Sequence, residues 1–209
     1  MFPDGRRRAL GDDDLLVFQV RIHGRGGQGV VTAAELLSVA AFSEGRHAQA
    51  FPTFGSERTG APVVAFCRID EAEIRVREPI SEPDAVIVQD PTLLHQVDLF
   101  GGLKPDGYLV INSVHGFGEL GLGEFVERFR KERLLTVPAT DIAREHLGRP
   151  LPNAALLGAF AAVTGIVSPA AVAAAIREKF AGDVGEANVA AAEAAYAFAR
   201  DGIREAAHA

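Results

Sequence analysis

The stretch LLVFQVRIHGRGGQGVVTAAELLSVAAFSE, residues 15–44, decides the fold. Its first eight residues, Leu15–Ile22, form a short apolar run rich in β-branched side chains, which predicts a strand. Six residues, Gly24-Arg25-Gly26-Gly27-Gln28-Gly29, then satisfy G-x-G-x-x-G. From Val30 to Glu44, Ala33, Ala34, Leu36, Leu37, Ala40 and Ala41 recur at helical spacing, and Gly45 offers a C-terminal cap. Glycines at such a turn let the backbone approach a diphosphate, while free amides at the helix start point at the anion. The same glycines would also serve a turn that only packs helix against strand.

The rest of the chain repeats this alternation. His47–Phe51 reads as a second strand opening into the loop Pro52–Ala61. Val63–Ile69 and Glu73–Arg77 flank a tight turn and predict an antiparallel hairpin, the latter strand with one wet face. Ala85–Gln89, Tyr108–Ile111 and Leu134–Val137 read as buried strands, and Asp90-Pro91 as a strand-end turn opening a short helix. Leu122, Phe125, Val126 and Phe129 give an amphipathic helical face. Helices are predicted at 139–147, 153–165, 169–180 and 186–201. The sum is an α/β fold: a Rossmann-like doubly wound, mostly parallel sheet with a β-hairpin insertion and a helical C-terminal third. Residues 1–14 read as a flexible leader or an arm that grips another subunit, 15–203 as one domain and 204–209 as a tail.

Composition narrows the function. The 209 residues are 48% hydrophobic and 23% charged, typical of a soluble globular domain. A net charge of −7 disfavours general binding to nucleic acid or anionic lipid. With one cysteine, Cys67, the chain carries no disulfide framework and no multi-cysteine metal site of its own. Cys67 lies in an apolar strand and is expected to be buried. From Pro150 to Ile176 no side chain is charged. A spanning helix needs about 20 apolar residues, but Pro152, Gly158, Gly165 and Ser168-Pro169 break this run into two buried helices. The expectation is no membrane span, no secretory signal and a cytoplasmic protein.

A dinucleotide site would add a carboxylate at the end of the second strand for the ribose hydroxyls. The strand ends at Phe51-Pro52 instead, and Glu44 falls on the first helix. A phosphate-bearing ligand fits; NAD does not. The second loop adds Ser56 and Thr59 hydroxyls and Arg58, able to clamp a phosphate, unless it is simply solvated or ordered by a subunit interface. The six histidines show no metal-ligand spacing. His23 reads as a structural hydrogen-bonding residue, and no catalytic set forms.

RIHGRGGQGVVTAAELLSVAA at 21–41 and FPTFGSERTGAPVVAFCRI at 51–69 strongly resemble the gamma subunit of 2-oxoacid:ferredoxin oxidoreductases, among which the pyruvate:ferredoxin (pyruvate synthase) enzymes are best known. The resemblance covers roughly residues 16–200. It departs at Thr59, where a second Arg or a Gly is expected. The resemblance implies oxidative decarboxylation of a 2-oxoacid to an acyl-CoA, with electrons passing to ferredoxin or another external acceptor. It places thiamine diphosphate and Mg on alpha and beta subunits and iron–sulfur clusters on a ferredoxin-like subunit or domain. The gamma module would bind coenzyme A and bridge the other subunits. Gly24, Arg25, Gly26, Gly27, Gln28, Gly29 and Thr32 then match the ligand-cradling loop, and Ser56, Glu57 and Arg58 the second loop, facing either coenzyme A or the thiamine-bearing subunit. Two other readings stay open: a purely structural interaction subunit, and a stand-alone nucleotide-binding oxidoreductase.

Overall fold

The computed structural model describes residues 17–53 and 59–208, the side chains of 205–208 excepted. Six strands form one sheet: β1 (Phe18–Arg25), β2 (His47–Pro52), β3 (Pro62–Asp70), β4 (Ala85–Val88), β5 (Tyr108–Asn112) and β6 (Leu134–Val137), in the order β2-β3-β1-β4-β5-β6. The β1–β4, β4–β5 and β5–β6 pairs are parallel, and β3 runs antiparallel to both β1 and β2. The hairpin is therefore β2–β3, with the second loop as its connection. Glu73–Arg77 forms no strand, which corrects the expected 63–77 hairpin. The reason is topological: both edges of β3 are already paired, by β1 and by β2. Residues 76–78 instead cross the sheet as coil, and Arg68 donates to the Val76 and Glu78 carbonyls at 3.3 and 2.7 Å.

The helices are α1 (Val30–Ser43), α2 (Gly123–Val126), α3 (Ala139–Leu147), α4 (Asn153–Thr164), α5 (Pro169–Lys179) and α6 (Gly182–His208). Alternation along the strands sorts the core into two clusters. Val20 and Ile22 of β1, Ala65, Cys67 and Ile69 of β3, and Ala85 and Ile87 of β4 pack against α1 and α3–α6. Val86 and Val88 of β4 with Leu109 and Ile111 of β5 face the other way, toward Leu93, Leu99, Leu103 and Phe129. The amphipathic face at 122–129 is present, but only one helical turn forms; no side chain caps it and glycine opens it.

The charge-free run is explained by α4. Every residue from Asn153 to Ala161 is buried, the state of a helix apolar all round. Gly158 lets α4 touch α6, since a Cβ there would run into the Ala192 carbonyl oxygen. No helix of the described residues is long and apolar enough to cross a membrane. Helix α6 extends past its expected limits of 186–201 at both ends.

Candidate functional site at the carboxyl edge of the sheet

The chain leaves β1 for the far edge, returns through β3 and then crosses to β4, so strand order reverses between β1 and β4. Ligands of open α/β sheets bind outside the carboxyl ends of strands at such a point. There the glycine loop sits, between Arg25 at the end of β1 and Val30 at the start of α1. Gly27 and Gly29 have φ of 92° and 73°, the left-handed region that side chains resist. A Cβ on Gly29 would also lie 2.7 Å from Asn153 Nδ2 at the start of α4. Among the described residues no side chain caps the first turn of α1, which leaves its first amides able to bond an anion. Thr32 lies in that turn, half-buried.

The second loop returns beside the first. Gly26 donates to the Ala61 carbonyl at 2.9 Å, Gly60 donates to the Gly26 carbonyl at 3.0 Å, and Gly26 bridges Thr59. The described end of the second loop, residues 59–61, thus meets the glycine loop. Ser56, Glu57 and Arg58 lie outside the described residues. Because β3 intervenes between β1 and β2, the end of β2 is not the neighbour of the glycine loop, a second physical reason against a nicotinamide dinucleotide.

Arg25 and Gln28 turn their side chains into the protein. Gln28 Nε2 donates to Asp90 Oδ2 at 2.7 Å, and its Oε1 accepts the Arg25 amide at 2.8 Å. Arg25 donates to Asp90 Oδ2 at 3.1 Å, Thr92 Oγ1 at 2.7 Å, Gln96 Oε1 at 3.1 Å and the Gly60 carbonyl at 3.0 Å. Asp90 Oδ1 accepts from the Thr92 amide and hydroxyl at 3.0 and 2.6 Å. Burial opposes the Asp90 charge, but the donors Thr92 and Gln28 with the Arg25 guanidinium outweigh it and hold its carboxyl below the usual range.

Sequence reasoning read Asp90 as a turn residue and passed over Asn112, Gln89 and Asn153. Asn112 Nδ2 joins the Gln89 carbonyl at 2.8 Å to Thr140 Oγ1 at 2.7 Å, and its Oδ1 accepts the Thr140 amide at 3.0 Å, linking β5, β4 and α3. For Gln89, Asp90 and Asn112 the available signal is position, since each ends or closely follows a buried strand at the carboxyl edge of the sheet; Asn153 opens α4 and carries no such signal. His23 departs from expectation. It is buried, but among the described residues neither ring nitrogen has a hydrogen-bond partner, and the Gln89 amide is likewise buried without one. Burial, with Arg21 nearby, pushes the His23 pKa down to about 4, Asp98 opposing. Cys67 is buried as expected and its thiol is pushed up to about 12 by burial. Open clefts of about 510 and 600 Å³ lie beside the outer face of α1 and beneath Gly45 and Ser168, neither lined by the glycine loop. Among the described residues no three His, Cys, Asp or Glu side chains gather to hold a metal ion.

Comparison with known proteins gives one answer. Residues 19–198 match the family described as pyruvate ferredoxin/flavodoxin oxidoreductase. The pyruvate synthase subunit PorC of Methanocaldococcus jannaschii is 52% identical over 180 residues, 86% of this chain and 96% of that one. The pyruvate/ketoisovalerate oxidoreductases common subunit gamma of Pyrococcus abyssi is 49% identical over 182 residues, with the same coverage. The crystal structure of pyruvate oxidoreductase subunit PORC from Thermotoga maritima superimposes with a TM-score of 0.72 at 37% identity, covering 87% of this chain and 96% of that one. The 2-oxoglutarate:ferredoxin oxidoreductase of Magnetococcus marinus, solved with 2-oxoglutarate, coenzyme A and succinyl-CoA bound, shares the fold at 19% identity and a TM-score of 0.71, over 88% of this chain and 31% of that one.

Proposed function

Because the chain belongs to the pyruvate ferredoxin/flavodoxin oxidoreductase family and is a gamma subunit of a 2-oxoacid:ferredoxin oxidoreductase complex, we propose that its own contribution is a coenzyme A-binding surface and a bridge between the other subunits. The partners in this reading are alpha and beta subunits carrying thiamine diphosphate and Mg, and a ferredoxin-like subunit or domain carrying iron–sulfur clusters. The reaction is oxidative decarboxylation of a 2-oxoacid, with ferredoxin or another external carrier taking the electrons. Bound coenzyme A supplies the thiol that accepts the acyl group.

The observation that carries the reading is the glycine loop at the switch point, running into an uncapped helix start. That cradle fits a diphosphate: its backbone is bare where side chains would intrude, and its amides are oriented by the helix. Gly24, Gly26, Gly27 and Gly29 would line it, with Thr32 one turn along. Ser56, Glu57 and Arg58 would serve either coenzyme A or the thiamine-bearing subunit. Isolated from its partners, the chain turns over nothing.

One observation favours the alternative of a purely structural subunit: Arg25 and Gln28 spend their side-chain hydrogen bonds inside the protein. Titrating coenzyme A into the assembled enzyme, wild type against Gly27→Val, separates the two. Losing the equivalent of one charge-assisted hydrogen bond weakens coenzyme A about tenfold while the KM for the 2-oxoacid stays put. Unchanged affinity in a correctly assembled variant would assign the loop to packing alone.

A further inference from the structure

The inward turn of Arg25 and Gln28 has a centre, and it is Asp90. Four donors saturate the Asp90 carboxylate: Gln28 Nε2, Arg25 Nε, and the Thr92 amide and hydroxyl. The side chain is only 11% exposed, and that of Arg25 21%. Through these two partners the carboxylate reaches three segments. Gln28 fixes the glycine loop by holding the Arg25 amide on its other end. Arg25 carries the link across to the Gly60 carbonyl of the second loop, and to Thr92 and Gln96 after β4.

We propose that Asp90 is the positioning residue of this site, setting both loops before coenzyme A arrives so that Arg25 and Gln28 act on the ligand through the backbone they hold rather than by touching it. The inference rests on the reading of the glycine loop as the coenzyme A site. A carboxylate beside a diphosphate would ordinarily repel it. Here the charge is balanced by Arg25 and every strong acceptor position is occupied, so the crevice is offered neutral backbone amides. Holding those amides in place beforehand removes the ordering cost that a mobile glycine loop would otherwise subtract from affinity. Asp90 touches no reacting atom in this account.

Three variants in the assembled enzyme test it, read by calorimetric coenzyme A binding without 2-oxoacid, by KM for each substrate, and by amide hydrogen exchange over residues 24–32. Asp90→Ala weakens coenzyme A about tenfold, speeds exchange in the loop and leaves the 2-oxoacid KM unchanged; Asp90→Asn, which keeps one acceptor, loses about threefold. Gln28→Glu still accepts the Arg25 amide but sets a second carboxylate against Asp90. Its binding relative to wild type is poor at pH 8, where both carboxylates are charged, and recovers as the pH falls and the pair takes up a shared proton beside Arg25. Gln28→Glu decides the matter if Asp90→Ala does not assemble. Wild-type affinity in Asp90→Ala or a pH-independent Gln28→Glu ratio, with Gly27→Val still impaired, overturns the positioning role and spares the coenzyme A reading. Wild-type affinity in Gly27→Val as well overturns both.

Discussion

The two faces of the sheet are closed by different physics. On one face α1 and α3–α6 lie against small strand side chains such as Ala65, Cys67 and Ala85, and the contact is mainly apolar, with Asn112 bonded to Thr140 of α3 at its carboxyl edge. Residues 153–209 contain 22 alanines, so the backbones come close and dispersion and burial supply the adhesion. On the other face the cover is largely coil. Its peptide groups lack the internal ladder of a helix, and arginines satisfy them from the sheet. Arg21 donates to the Ile80, Leu99 and Gly101 carbonyls at 3.4, 3.0 and 2.7 Å, and Arg68 to those of Val76 and Glu78. Toward β5 the same face adds a stack of Phe100, Phe125 and Phe129, with Arg128 over the last two rings. Arg25 continues the β1 arginine series into the carboxyl edge, where a guanidinium that elsewhere pins a coil here ties the glycine loop to the Gly60 carbonyl, Asp90 and Thr92.

The comparison can be broken most severely at Arg21. Arg21→Met leaves three carbonyls, two of them buried, without their donor and is expected to cost about 4 kcal/mol, at roughly 1–3 kcal/mol for each lost partner less some relaxation. Arg21→Lys recovers under half of that, because an ammonium lacks the fork that reaches all three. Urea unfolding of the chain measures both; a Lys variant equal to wild type would show that charge alone holds this face. The helical face should behave the other way. Leu157→Ala opens a cavity and costs about 3 kcal/mol, whereas Leu157→Met costs less than about 1.5 kcal/mol. Equal losses for the two would contradict a face held by volume and burial.

The smallest effect sharpens the comparison through pH. His23 points to the arginine side, faced by Arg21 and Asp98, and its pKa is about 4 when folded against about 6.5 in an unfolded chain. The folded state takes up this proton later than the unfolded one. Its stability is therefore whole above pH 6.5 and drains as pH falls from 6.5 to 4. Asp90, held low, adds its own loss only as pH falls through the folded value of its carboxyl. His23→Phe should flatten the decline in urea midpoint across the 6.5-to-4 window. The same slope in both proteins would remove His23 as the source.

Much of this architecture is legible in the residues. Apolar runs bounded by turns mark β4, β5 and β6 within a residue or two, and Ser168-Pro169 marks the start of α5, with Ser168 accepting the Ala171 amide as an N-cap should. What stays hidden is pairing. Nothing local says that β3 fills both its edges, so the alternation in Glu73–Arg77 reads as a strand although no edge remains for it. Pairing with β3 also carries β1 on to Arg25, opposite Pro62, beyond the apolar run. At the site, the glycine loop and Thr32 are visible because backbone geometry demands particular residues. Asp90 and Asn112 are not, because their role depends on three-dimensional neighbours 62 and 28 residues away at Gln28 and Thr140. His23 defied its reading for the same reason: its neighbours, not its type, left both nitrogens unpartnered.

The central claim is that the glycine loop of this gamma subunit receives coenzyme A. Amide hydrogen exchange of the assembled enzyme, with and without saturating coenzyme A, tests it most directly. The account predicts slowed exchange over residues 24–32 and 59–61, with α6 unchanged. Exchange in the glycine loop that coenzyme A leaves untouched, while the enzyme binds it, would contradict the claim.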